Sequence, residues 1–187
     1  MKRIIFILTA VWITTGIVYG EKTEMLSEGD VFPELVFEKA DGNIFVFPDT
    51  EKNRITLLAA AFSRPKEGMA ESWILPFENE FKGNERINYY ETAMLGNLGW
   101  LQGIITGAIK GAVEEDRKKN TVLWLGDGRD NYKKRFGVSE DEDIYIFLID
   151  TSGKIRYMTK GNKAKKEEIE KIIEKTYEIL ERQNDDF

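Results

Sequence analysis

Ile55-Thr56-Leu57-Leu58-Ala59-Ala60-Ala61-Phe62 is a near-continuous apolar run that stops abruptly at Ser63-Arg64-Pro65-Lys66. A run with no polar alternation reads as a strand buried on both faces, and such strands sit inside sheets that carry helices on each side. Working outward, the spacing predicts a helix over Gly68–Phe81, a strand over Ile87–Glu91 and a helix over Leu98–Val113. Thr121–Leu125 reads as a second buried strand, Asn131–Phe136 as a short helix stopped by Gly137, and Ile144–Ile149 as a third strand. Asp150-Thr151-Ser152-Gly153 turns that strand into a partner over Lys154–Met158. A last helix over Lys163–Arg182 places Ile169, Ile172, Ile173, Thr176, Tyr177 and Leu180 on one face. Upstream, Leu35–Phe37 and Ile44–Phe47 flank Asp41-Gly42-Asn43, the signal of a tight hairpin. Strands alternating with helices, closed by a hairpin and a helix, predict an α/β fold. Its central mixed sheet is flanked by helices and carries an N-terminal β-hairpin. Ile55–Phe62 should be central and antiparallel to Ile144–Ile149.

Residues 1–20 have the pattern of a targeting segment. Lys2 and Arg3 precede the mostly apolar Ile4–Val18, and Val18 and Gly20 stand before charged Glu21. A cleaved signal peptide and a retained N-terminal anchor through residues 4–19 both fit this pattern, and both place the rest of the chain outside the cytoplasm. Residues 21–187 are then long enough for a single domain with its own core. The full chain has 27 basic and 33 acidic side chains, and setting aside Lys2 and Arg3 takes the net charge from −6 to −8. That charge argues against a nucleic-acid partner, which needs clustered positive side chains facing phosphates.

The chain contains no cysteine and no histidine. Thiolate and imidazole chemistry are therefore closed to it, and no disulfide supports the fold. Carboxylates, Lys, Arg, Tyr, Ser and Thr are what remain for catalysis.

Gly29-Asp30-Val31-Phe32-Pro33-Glu34-Leu35, the Asp41-Gly42-Asn43 hairpin and Ile55–Phe62 followed by a helix with Pro76 resemble the thioredoxin-like superfamily. So do Phe136-Gly137-Val138, Ile144–Asp150 and Gly153-Lys154-Ile155. The likeness is to its extracytoplasmic, peroxiredoxin-type branch and spans nearly all of residues 29–182. The resemblance implies a redox site at the start of the helix after the buried strand, where the family's two cysteines would fall near Gly68 and Glu71. It also implies a cis-proline near Ile144, yet no proline follows Pro76, so the peptide before Ile144 should be trans. With thiol and proline both missing, the resemblance implies the fold without the redox activity. A narrower likeness joins Ser72-Trp73, Pro76-Phe77, Gly153-Lys154-Ile155-Arg156-Tyr157 and Gly161 to the mitochondrial ATP synthase assembly-factor family, although Tyr157 stands where tryptophan is expected. That likeness implies a protein partner, a membrane subunit of the synthase.

The candidate partner-binding residues fall in two groups. Ser63 and Arg64 occupy the site of the family's reactive loop, with Met69 and Trp73 on the helix behind it. They form either an anion- or peptide-binding edge, or a plain helix start with Ser63 as N-cap and Pro65 in the first turn. Gly99, Gly103, Gly107 and Gly111 recur every fourth residue and form one bare helical stripe. Such a stripe either receives a client's transmembrane helix at close approach, packs on the domain's own sheet, or belongs to a partly irregular segment. Trp73, Trp100 and Trp124 are expected in the core unless one marks an interface. Glu114-Glu115-Asp116 and Glu140-Asp141-Glu142-Asp143 read as solvated loops; the carboxylates of the second suit Ca²⁺, but it lacks the spacing of a calcium loop. Asp127-Gly128-Arg129-Asp130 reads as a turn with a helix cap. No catalytic residue, cofactor or metal is expected. The reading reached is a non-redox binding or assembly protein; the alternative is an enzyme using carboxylates or Ser63 in the vacated cleft.

Overall fold

The structure, a computed structural model, describes residues 24–49, 53–63 and 68–185. The targeting segment with its apolar stretch 4–19, and Arg64, lie outside the described residues.

The hairpin forms as expected. β1 (Leu35–Lys39) and β2 (Ile44–Phe47) pair in the register Leu35↔Phe47. Their turn is held by the Asn43 backbone N–H donating to Asp41 Oδ1 at 2.9 Å, with Gly42 at φ 95°. β3 (Ile55–Ala61) is buried at every position. It runs parallel to β4 (Ile87–Met94) and antiparallel to β6 (Ile144–Ile149). β5 (Thr121–Trp124) lies between β4 and β1, and β7 (Ile155–Gly161) closes the far side. The seven strands make one sheet in the order β2-β1-β5-β4-β3-β6-β7. The N-terminal stretch locks onto the β6–β7 turn, with Phe32 N–H donating to Gly153 O at 2.8 Å and Ile155 N–H to Asp30 O at 2.9 Å.

Alternation along β3 divides the apolar interior in two. Leu58, Ala60 and Phe62 meet an aromatic-rich cluster that includes Phe32, Phe37, Phe47, Phe136 and Phe147. These rings contact edge-to-face or tilted, as their quadrupoles favour. Ile55, Leu57, Ala59 and Ala61 meet Trp73, Ile74 and Phe77 of α1 (Met69–Glu80) and Ile169 and Ile172 of the C-terminal helix.

The remaining elements differ from expectation in instructive ways. Leu98–Val113 is not one helix: a 3-10 turn at Gly99–Leu101 leads into α2 (Gln102–Ala112), because Gly99 sits at φ 56°. α3 (Arg129–Arg135) begins two residues early, after Gly128 at φ 78°. The C-terminal helix, α4 (Lys166–Asp185), starts three residues late. Its Tyr177 is 44% exposed rather than on the buried face, and its hydroxyl donates to Glu80 at 2.7 Å. Among the described residues the cis peptide is Phe47–Pro48, so the bond before Ile144 is trans.

Candidate functional site

The carboxyl ends of parallel strands are where open α/β sheets place their sites. Here the ends of β3 and β4 are closed by one side chain. Arg129, at the start of α3, donates from Nε to the Met94 carbonyl at 2.8 Å and from Nη2 to the Phe62 carbonyl. Its guanidinium lies 5.9 Å from the Phe62 ring centroid. The arginine reaches these carbonyls past Gly96, where an added Cβ would stand 3.0 Å from Arg129 Cβ and the backbone has φ 73°. Glycine is therefore required there by both space and conformation. Sequence reading missed this role, since Asp127-Gly128-Arg129-Asp130 shows only a polar turn; the turn is present, but no side chain caps α3.

Ser63 follows β3 and donates its hydroxyl to the Asp141 carbonyl at 2.7 Å. It does not cap α1. That helix begins at Met69, behind Gly68 in the left-handed conformation at φ 79°, with no side-chain cap. The expected Ser63 N-cap is thus corrected: five residues separate it from the first helical turn. Met69 and Trp73 turn inward and are buried, so neither offers its side chain to a partner. The Trp73 indole N–H is enclosed, and among the described residues no acceptor reaches it.

Glu71, near the expected position of the family's second cysteine, is engaged by Arg117 at 2.8 Å. The same guanidinium reaches Glu91 on β4. Burial raises the Glu91 carboxyl above its ordinary value despite the pull of Arg117. Burial also pushes Glu71 upward, but hydrogen bonds from Arg117 and the backbone hold it below the ordinary value. Arg117 thus ties the α2–β5 connection to α1 and β4. Where the vacated cleft is expected, Glu71 is held in an ion pair and Ser63 in a contact to a backbone carbonyl. Asp141, from the second acidic run, pairs with Lys133. Among the described residues no three acidic side chains gather as a metal-ligand set.

The glycine stripe lies elsewhere in character. An added Cβ at Gly103, Gly107 or Gly111 would meet nothing within 4 Å. The expectation that the stripe packs on the domain's own sheet is overturned, because these glycines face open space. Gly99 belongs to the preceding 3-10 turn and lies outside the helical row. Three glycines inside α2 cost about 3 kcal/mol against alanine. Around them Trp100 is 83% exposed, Ile104 is 65% exposed, and Leu101, Ala108 and Ala112 also face solvent. The one charge on α2, Lys110, is drawn to Glu38 on β1. Trp73 and Trp124 are core residues, and Trp100 is not.

The family model described as ATP10 protein matches residues 31–179. The chain belongs to the ATP10 protein family. Solved structures share its fold at low identity. One is the thioredoxin domain of a thiol-disulfide oxidoreductase from Bacteroides vulgatus, with TM-score 0.54 and 18% identity, covering 81% of this chain and 98% of the other. Another is BsSco, a member of the Sco family of cytochrome c oxidase assembly proteins, with TM-score 0.52 and 13% identity, covering 82% and 97%. A third is the exposed lipoprotein thioredoxin of Streptococcus pneumoniae, with TM-score 0.51 and 18% identity, covering 76% and 99%. No curated protein matches the sequence. The thioredoxin-like fold is therefore shown, and fold and family are consistent with an assembly-type or thioredoxin-like role. Among the described residues no helix is long and apolar enough to cross a membrane.

Proposed function

We propose that this protein is a non-redox, thioredoxin-like assembly factor that acts outside the cytoplasm and binds a membrane-protein subunit, in the manner its family name implies for ATP synthase. The observation that carries the reading is the outward face of α2. From Trp100 to Ala112 it presents apolar and small side chains with no charge pointing to solvent, and Gly103, Gly107 and Gly111 leave it bare of Cβ atoms. Bare helical surfaces let a second helix approach closely enough for backbone-to-backbone packing. The absence of every cysteine supports a role without thiol exchange. Residues 4–19 supply either the export signal or a tether that keeps the domain beside its client.

The test is capture of membrane proteins from native membranes by the tagged full chain. Gly103→Leu with Gly107→Leu should abolish capture of the subunit while leaving the fold intact, because each new side chain enters open space. A folded double variant that captures the same subunit undiminished removes α2 as the binding surface. Insulin-reduction turnover by the purified protein would remove the non-redox assignment.

A further inference from the structure

α2 is joined to its sheet unlike any other long element of the fold. α1 brings Trp73, Ile74 and Phe77 into a core, and α4 brings Ile169 and Ile172. α2 has Thr106 as its buried residue, and that hydroxyl donates back to the Gln102 carbonyl of its own helix at 2.8 Å rather than to the sheet. Ile105 and Ile109 are half-buried but join neither apolar cluster. No side chain caps its N-terminus, and positive-φ glycines at 96 and 99 bracket the link from β4. The polar ties that do cross are ionic. Lys110 reaches Glu38 on β1, and five residues past the helix Arg117 grips Glu71 on α1 and Glu91 on β4.

We propose that α2 is a detachable strap, hinged at Gly96–Gly99 and latched to the sheet by Lys110–Glu38 and by Arg117 between Glu71 and Glu91. Salt screens ion pairs, partly buried ones such as these less than exposed ones, and does not weaken apolar burial. The strap therefore opens locally, ahead of the rest of the domain. Opening bares Leu123. That side chain is 1% exposed, belongs to neither cluster, and is the register partner of Glu38, the residue Lys110 holds. This device stands independently of the docking assignment, since its test contains no client.

The experiment is native-state hydrogen exchange of the full chain, read by mass spectrometry in low and molar salt. The parent, Lys110→Met, Arg117→Met and the control Lys118→Met are compared. Lys118 pairs with Glu115 within the same connection and does not reach the sheet strands. Amides of 102–112 should exchange faster in the parent than those of α1 or α4. They should quicken further, by about fivefold, in Lys110→Met and Arg117→Met. High salt should move the parent part of the way toward that gain, and Lys118→Met should not move it. Amides of β3 and β6 should be unchanged throughout. Protection of 102–112 equal to that of α1, indifference of those amides to both latch variants, or uniform quickening of the whole domain would each overturn the strap.

Discussion

The guanidinium of Arg129 satisfies carbonyls at the ends of two neighbouring parallel strands, where open α/β sheets place their sites. Replacing it with methionine keeps the stem over Phe62 and removes both donors. Arg129→Met should lower stability by about 2–3 kcal/mol, since two acceptors lose charge-assisted partners. The urea midpoint measures this, and a loss under about 0.5 kcal/mol would show that water replaces the arginine without penalty. None of this was legible in the sequence. A single polar turn carries Arg129, and only the side-by-side ending of β3 and β4 gives it a task. Ser63 misled for the opposite reason. Its local pattern with Pro65 suggests a cap, but the helix waits for the left-handed Gly68, and the serine instead meets Asp141, 78 residues away in sequence. Arg117, Glu71 and Glu91 were missed likewise, because their meeting is non-local.

Strands and helices were easier to read because their signals are local. β3 and β6 are nearly unbroken apolar runs, interrupted in β3 by Thr56, and their burial at every position follows directly. The periodic Leu98–Val113 was the element least well read. Its spacing gave helix, yet spacing cannot say whether a glycine row faces a sheet or solvent. Because no atom stands near those positions, Gly103→Ala and Gly107→Ala should each stabilise by about 1 kcal/mol, seen as a raised melting temperature. Destabilisation by either would mean the helix packs against something after all. The β6–β7 turn allows a prediction with pH. Asp150 is 6% exposed at its side chain, accepts from the backbone N–H groups of Ser152 and Lys154 at 2.9 Å each, and pairs with Arg156 at 2.6 Å. Burial pushes its carboxyl up, but the Ser152, Lys154 and Arg156 hydrogen bonds prevail and hold it below 3.8. A carboxyl depressed by folding stabilises above its unfolded value and loses that contribution as pH falls through the folded one. Asp150→Ala should cost about 2 kcal/mol at neutral pH. The gap to the parent should narrow below pH 3.8; a gap independent of pH in denaturation series would contradict it.

At the scale of the whole molecule, the antiparallel pairing of β3 with β6 followed from the sequence, as did the closing hairpin and helix; β3 is an interior strand, but the middle place it was expected to hold belongs to β4. The insertion of β5 between β4 and the N-terminal hairpin did not, because strand order depends on how β1 and β5 meet across 80 or so residues. One consequence of the surface pattern concerns light. Two indoles of the domain, Trp73 and Trp124, are enclosed, while Trp100 stands in water at the head of α2. Emission from Trp100 should be red-shifted and open to iodide, and the difference spectrum between the parent and Trp100→Phe isolates it. That difference should move to shorter wavelength and escape quenching when the α2 face is covered by detergent or by a client helix. A difference spectrum closed to iodide in the free protein would mean Trp100 is already covered. The molecule thus carries, beside its barest helix, a chromophore that reports occupancy without any label.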